Sequence, residues 1–303
     1  MEQPATTTNL LRQLSNQMAD AVENVSSSLV LVNGRQRQPA SGIIFGENLV
    51  LTADHVLERE DDLTIQTPDK RTLPAQFVGR DLATDLALLR VPDLGHTPAT
   101  SAKEAARVGQ LVLAVGRAPD DGPMASSGIV SAIGGPIRLG RGATLERYIR
   151  TDATPYPGFS GGPLLDVQGH VLGVLTTGLA NGVALAIPMD IASKIAETLA
   201  TQGFIKRGYL GISSQLVQLP SGQKAGKTQE NGLLIVRVEE NSPAHAGKIM
   251  LGDILVAIDG HAINDSEDLQ IVLAGERVGK TIPIEVIRGN SLQTLQVTIG
   301  QRK

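Results

Sequence analysis

The segment Pro157-Gly158-Phe159-Ser160-Gly161-Gly162-Pro163-Leu164 decides how this chain is read. It sets a serine among glycines, ahead of an apolar run. A serine hydroxyl is a poor nucleophile until a base removes its proton. Its attack on a carbonyl also needs donors aimed at the oxyanion that forms. Glycine lets the backbone approach a substrate closely, so the N–H groups of Gly158 and Ser160 are the expected oxyanion donors. The same residues fit G-x-S-x-G, the nucleophile elbow of α/β-hydrolases. An elbow opens a helix, however, and Gly161-Gly162-Pro163 is a poor helix start.

Two upstream segments supply partners. Leu51-Thr52-Ala53-Asp54-His55-Val56 ends an apolar strand on a histidine. Ala83-Thr84-Asp85-Leu86-Ala87-Leu88-Leu89 sets a carboxylate at the edge of an apolar run. The chain order His55, Asp85, Ser160 is that of chymotrypsin-like proteases, whereas the elbow enzymes run serine, acid, histidine. Asp54 adjoins His55, but neighbours on a strand point apart, so Asp85 is the expected orienting acid. The remaining histidines, His96, His170, His245 and His261, lie in turns or in the C-terminal third.

Composition bounds the alternatives. A length of 303 residues suits about two domains. With 41% hydrophobic and 19% charged residues, a packed core is affordable. A net charge of −4 and only 2% aromatics argue against a nucleic-acid partner. The absence of cysteine removes disulfides, thiol catalysis and Cys-ligated zinc. No apolar run reaches the roughly 20 residues of a membrane span, and Met1-Glu2-Gln3-Pro4 does not begin a recognisable signal peptide.

The pattern along the chain changes twice. Residues 8–25 have helical spacing of Leu11, Leu14, Met18, Ala21, Val22 and Val25. From 28 to 188, short β-branched runs alternate with turns, which predicts an antiparallel barrel or sandwich. Residues 189–202 predict a helix stopped by Gly203. Beyond a polar loop at 218–230, strands at 233–238, 254–258, 281–287 and 295–299 and a helix at 266–274 predict a compact α+β module.

The three catalytic segments resemble those of the HtrA/Deg serine proteases, trypsin-like bacterial peptidases of the chymotrypsin fold. The spacing is similar: 30 residues separate His55 from Asp85, and 75 separate Asp85 from Ser160. Gly208-Tyr209-Leu210-Gly211-Ile212 resembles the carboxylate-binding loop of the family's PDZ domain, and Ser242-Pro243-Ala244 with Leu251-Gly252-Asp253-Ile254-Leu255 a second PDZ signature. The chain departs from the family at Phe159, where asparagine is usual, and at Thr154-Pro155-Tyr156, where Ala, Ile and Asn are usual. No aromatic residue precedes Phe45, although N-terminal aromatics often form the family's trimer contact.

The resemblance implies a mainly β chain: an N-terminal helical segment (1–26), a double-barrel protease domain (27–203) and a C-terminal PDZ domain (204–303). It implies a serine endopeptidase with catalytic residues His55, Asp85 and Ser160 and no metal or organic cofactor. Its partners would be unfolded or damaged polypeptides and C-terminal peptides captured at Tyr209, Leu210, Gly211 and Ile212. Leu269, Ile271 and Leu273 are candidate walls of the peptide groove. A homotrimer and an extracytoplasmic location are further implications. In chymotrypsin-fold enzymes the base of the S1 pocket lies six residues before the nucleophile, here Thr154. With Leu175, Thr176, Thr177 and Leu185 as walls, the pocket carries no charge. The competing reading is a proteolytically silent PDZ-bearing chaperone or scaffold.

Overall fold

Helix α1 (Ala5–Ser26) leads into six strands: β1 (Leu29–Asn33), β2 (Ala40–Gly46), β3 (Leu49–Ala53), β4 (Leu63–Gln66), β5 (Thr72–Asp81) and β6 (Leu86–Arg90). They close into an antiparallel barrel in the order β1-β2-β3-β6-β5-β4. The computed structural model describes residues 5–301, apart from 37, 119–121, 136, 140–142, 180–182, 206–207, 221, 223 and 274–276.

The barrel explains why its strands are apolar on both faces. Side chains alternate along a strand. In β6, Ala87 and Leu89 point into the barrel with Val50, Val32 and Ile65. Leu86 and Leu88 point the other way, into a second core. That core gathers Leu29, Ile43 and Leu51 with Leu113, Val115, Val174 and Ile187 of the following barrel. Ala21 and Val25 of α1 join it, whereas Leu10 and Leu11 are exposed.

The second barrel uses β7 (Leu111–Ala118), β8 (Gly122–Gly134), β11 (Tyr148–Thr151), β12 (Pro163–Leu165), β13 (Val171–Thr176) and β14 (Leu185–Pro188). Its order is β11-β14-β13-β12-β7-β8, and a ribbon of β9 (Ile137–Leu139) and β10 (Ala143–Leu145) follows β8. Helix α2 (Met189–Gln202) then buries Met189, Ala192, Ala196 and Leu199. Gly203 stops it in the left-handed region at φ 76°, with its N–H on the Leu199 carbonyl. Two six-stranded barrels agree with the architecture the resemblance implies.

The chain divides near residue 205 into two compact units. The second contains β15 (Gly208–Tyr209), β16 (Ile212–Gln218), β17 (Asn231–Val238), α3 (Pro243–Ala246), β18 (Ile254–Ile258), β19 (His261–Ala262), α4 (Ser266–Leu273), β20 (Thr281–Arg288), β21 (Ser291–Thr298) and β22 (Gly300–Gln301). Its main sheet runs β16-β17-β18-β20-β21, which leaves β16 at an edge. Leu233, Ile235, Leu255, Ile258, Ile284 and Val286 fill the core.

Besides short pieces such as β9, β10 and β19, two longer strands differ from the expected set. Strand β16 was not expected, and β8 begins five residues earlier than its apolar pattern. Along most of both strands half-buried and exposed positions alternate. Their residues, such as Ser213, Ser214 and Gln215 or Ser126 and Ser127, therefore lack an apolar signal. No helix among the described residues is long and apolar enough to cross a membrane.

Candidate active site

Pairing of β3 with β6 brings two of the three catalytic candidates together. Ala53 lies opposite Leu86, the last pair of that ladder. The residues just after β3 and just before β6 are therefore neighbours. His55 sits on a single 3-10 turn, Asp54–Val56. Asp85 turns the chain into β6 from the left-handed region at φ 55°, which aspartate tolerates better than most side chains. Asp85 Oδ2 lies 2.6 Å from His55 Nδ1, and Oδ1 accepts the His55 backbone N–H at 2.8 Å. This grip leaves Nδ1 as the protonated ring nitrogen and frees Nε2 to act as a base. Asp85 is buried, while the imidazole keeps 29% of its side-chain surface.

Asp54 does not face the ring. Its carboxylate lies 3.0 Å from Arg80 Nη1 on β5, at ion-pair distance though without hydrogen-bond alignment. Burial pushes its carboxyl up to about 6, against the opposing pull of the Arg80 guanidinium.

Ser160 arrives from the second barrel, on the segment between β11 and β12. The Tyr156 carbonyl accepts the Phe159 N–H at 3.0 Å, with Pro157 and Gly158 between them and Gly158 at φ 94°. Proline followed by a positive-φ glycine makes this a type II turn. Phe159 is 1% exposed, packs into the second barrel's core and meets Tyr156 edge-on at 5.4 Å. Gly161, at φ 85°, can only be glycine: a Cβ there would lie 2.1 Å from the Ser41 carbonyl oxygen. Neither the Gly158 nor the Ser160 N–H has an acceptor among the described residues. Both are therefore available to an oxyanion. Ser160 Oγ lies 3.2 Å from Thr177 Oγ1 and makes no hydrogen bond to His55.

The expected S1 residues separate. Thr177 is beside Ser160 Oγ, Leu185 is buried at 2% exposure, and Thr154 is exposed. Two wall assignments need correction. Leu175 points into the second barrel's core. Thr176 donates its hydroxyl to Asp85 Oδ2 and accepts the Gly178 N–H at 3.0 Å. Strand alternation sends these adjacent side chains to opposite faces, and neither faces open space. Gly178 also went unnoticed in the sequence. A Cβ there would lie 2.5 Å from His55 Nδ1 and 2.9 Å from Asp85 Oδ2, so glycine is what lets this segment cover the His–Asp pair.

In the second unit, the carbonyls of Leu210 and Gly211 are taken by the N–H groups of Ala244 and Glu239, at 2.8 and 2.9 Å. The N–H groups of the same two residues have no acceptor among the described residues. Gly211, at φ 77°, passes so close to Ser242 that a Cβ would lie 2.2 Å from its Cβ. Tyr209 donates its hydroxyl to Glu239, and Ile212 begins the edge strand β16. Leu269 and Leu273, candidate groove walls, are buried with this unit's core; the side chain of Ile271 lies outside the described residues.

The fold and these constellations define a trypsin-like peptidase domain joined to one PDZ domain. Residues 40–174 match the trypsin-like peptidase domain family, and 208–299 the PDZ domain family. The chain is 33% identical over 280 residues to a probable periplasmic serine endoprotease, DegP-like, of Ectopseudomonas mendocina, a match covering 88% of this chain and 58% of that protein. A protein of the same description from Pseudomonas putida is 34% identical over 277 residues, covering 88% of this chain and 57% of that one. The chain thus spans less than two thirds of these curated relatives. Among solved structures, HtrA-type protease AlgW with a decapeptide superposes at a TM-score of 0.79 with 27% identity, over 94% of this chain and 99% of that one. The serine endoprotease from Yersinia pestis superposes at 0.77 with 26% identity, over the whole of both chains. Both domains of the chain are thus similar to those of HtrA-type serine proteases.

Proposed function

We propose that this chain is a serine endopeptidase that cleaves unfolded or damaged polypeptides, with the PDZ domain binding C-terminal or extended peptide segments. The observation that carries the reading is the Asp85–His55 pair, with its Nε2 free, in the same domain as a glycine-flanked Ser160. In the first step His55 Nε2 takes the Ser160 proton as Oγ attacks the scissile carbonyl. The carbonyl oxygen becomes negative and is held by the Gly158 and Ser160 N–H groups. His55 returns the proton to the leaving amine, and Asp85 stabilises the imidazolium meanwhile. Water then enters with His55 again as base and releases the acyl group. The Oγ···Thr177 contact is broken by rotating one side-chain torsion of Ser160. Catalytic hydrogen bonds are often long or misaligned before substrate binds.

That contact favours a second reading, in which the protease domain is silent and the protein acts as a PDZ-bearing chaperone. A fluorophosphonate probe separates the two, because only an activated serine is labelled. We expect labelling of the intact chain and none of Ser160→Ala. An unlabelled chain that also leaves unfolded casein intact would favour the silent reading.

A further inference from the structure

The residues read as oxyanion donors, Gly158 and Ser160, share one neighbour from the opposite barrel. Ser41 on β2 is fully buried. Its hydroxyl donates to the Gly158 carbonyl at 2.7 Å, and its backbone N–H donates to the Ser160 carbonyl at 3.1 Å. The same hydroxyl oxygen accepts the N–H of Arg117 on β7 at 2.8 Å. The Ser41 carbonyl in turn accepts the hydroxyl of Thr52, three residues before His55, at 2.7 Å. Arg117 ties the barrels a second time, with Nη2 donating to the Pro68 carbonyl of the first barrel at 3.2 Å.

We propose that Ser41 is a positioning residue for the oxyanion site, its hydroxyl holding the Gly158 turn in the shape that presents both N–H donors. The inference rests on reading Ser160 as the nucleophile. Its physical basis is the freedom of glycine. Gly158 has no Cβ to restrict its dihedrals, so the turn needs an external hold. A hydroxyl supplies one acceptor and one donor, and here both are engaged, by Arg117 and Gly158. Removing it takes this partner from the Gly158 carbonyl and the Arg117 N–H, and the turn gains a reason to rotate. Thr52 connects the same residue to the strand that carries His55. One buried serine from the first barrel thereby registers the second barrel's oxyanion turn against the histidine.

The test compares wild type, Ser41→Ala and Ser41→Cys on a fluorogenic peptide built around the strongest cleavage site in casein. Loss of an oxyanion donor outright costs about 10²–10³ in kcat; a donor left to wander should cost about 10- to 100-fold. Ser41→Ala should show that fall in kcat with KM within about twofold. Ser41→Cys, which keeps a weak donor in place, should fall between. Affinity for a matching peptide boronic acid, whose tetrahedral adduct fills the oxyanion site, should drop in parallel with kcat. Binding of the uncleaved peptide should be equal in Ser160→Ala and in Ser41→Ala/Ser160→Ala. Thermal melting reports whether each variant is folded, and if Ser41→Ala is not, Ser41→Cys carries the comparison. Wild-type kcat and boronate affinity in the folded variants overturn the proposal, as does a kcat loss matched by an equal loss of peptide binding. A wild-type chain that cleaves nothing overturns instead the protease reading on which this one stands.

Discussion

Thr176 donates its hydroxyl to Asp85 Oδ2, the oxygen that also receives His55 Nδ1. The carboxylate is therefore held from β13 of the second barrel as well as by the histidine. Thr176→Val removes this donor and strands the Gly178 N–H. A hydrogen bond to a charged group is worth about 1.5–3 kcal/mol, so kcat should fall roughly 10- to 100-fold. Thr176→Ser should keep most of the activity. A Val variant within twofold of wild type would show that the bond plays no part in catalysis.

Ser160→Ala and His55→Ala should each abolish peptidase activity, because members of a triad act as a unit. Both variants should melt close to wild type: His55 is partly open, and Ser160 loses only its hydroxyl. Asp85→Ala should cost far more activity than Asp54→Ala, since only Asp85 reaches the imidazole. Casein hydrolysis by all four variants is the measurement, and the reverse ranking of the two aspartates would reassign the acid.

The proposed triad could be read from sequence because each candidate borders an apolar run whose strand character is plain. His55 follows Leu49–Ala53, and Asp85 precedes Leu86–Arg90. Their proximity follows from an antiparallel ladder that the sequence only hints at. Ser41, Thr176 and Gly178 gave no comparable signal. Each makes a contact far along the chain: Ser41 with Arg117, 76 positions away, Thr176 with Asp85, 91 away, and Gly178 with His55, 123 away. Small polar residues in apolar strands look alike whether they cap, pack or position. Phe159 shows the converse. It departs from the asparagine usual in HtrA-type proteases, yet it is buried beneath the proposed oxyanion turn, where Gly116 makes room for its ring.

The burial of Asp54 makes stability depend on pH. Its carboxyl is raised from 3.8 to about 6 in the folded chain, mainly by desolvation. Below both values it is protonated in the folded and unfolded states alike. Between them the folded state holds the proton more tightly, so wild type loses stability as pH rises through this window. Above about 6 the loss is complete. Asp54→Asn removes the effect. Urea melts from pH 4 to 7.5 should show the Asn variant gaining on wild type up to about pH 6, then a constant difference. A difference that is flat throughout would refute the assignment.

The edge strand β16 and the Leu210 and Gly211 N–H groups, which have no acceptor among the described residues, suit strand addition by a peptide whose terminal carboxylate is captured. An apolar peptide with a free C-terminus should bind more tightly to the intact chain than its amidated form. Gly211→Ala should weaken binding by forcing an L side chain into φ 77° against Ser242. Fluorescence anisotropy with both peptides is the check. Equal affinity for the two forms would exclude carboxylate capture.

The residue accepted before the scissile bond should be small and apolar. Asp152, the acidic residue closest in sequence to the expected pocket base, accepts the Ile129 N–H at 2.7 Å. Its Oδ1 is thereby tied to β8. On the proposed assignment Thr154, Thr177 and the buried Leu185 are the remaining pocket candidates, and none is charged. A lysine or arginine there would leave water without a carboxylate to receive it, which is costly. Cleavage after Val, Ala, Leu or Ile should therefore dominate when sites in an unfolded protein are mapped by mass spectrometry. Thr154→Asp supplies the missing charge and should raise the share of cuts after Lys and Arg. A wild-type majority of such cuts, or a Thr154→Asp profile unchanged from wild type, would place the specificity pocket elsewhere.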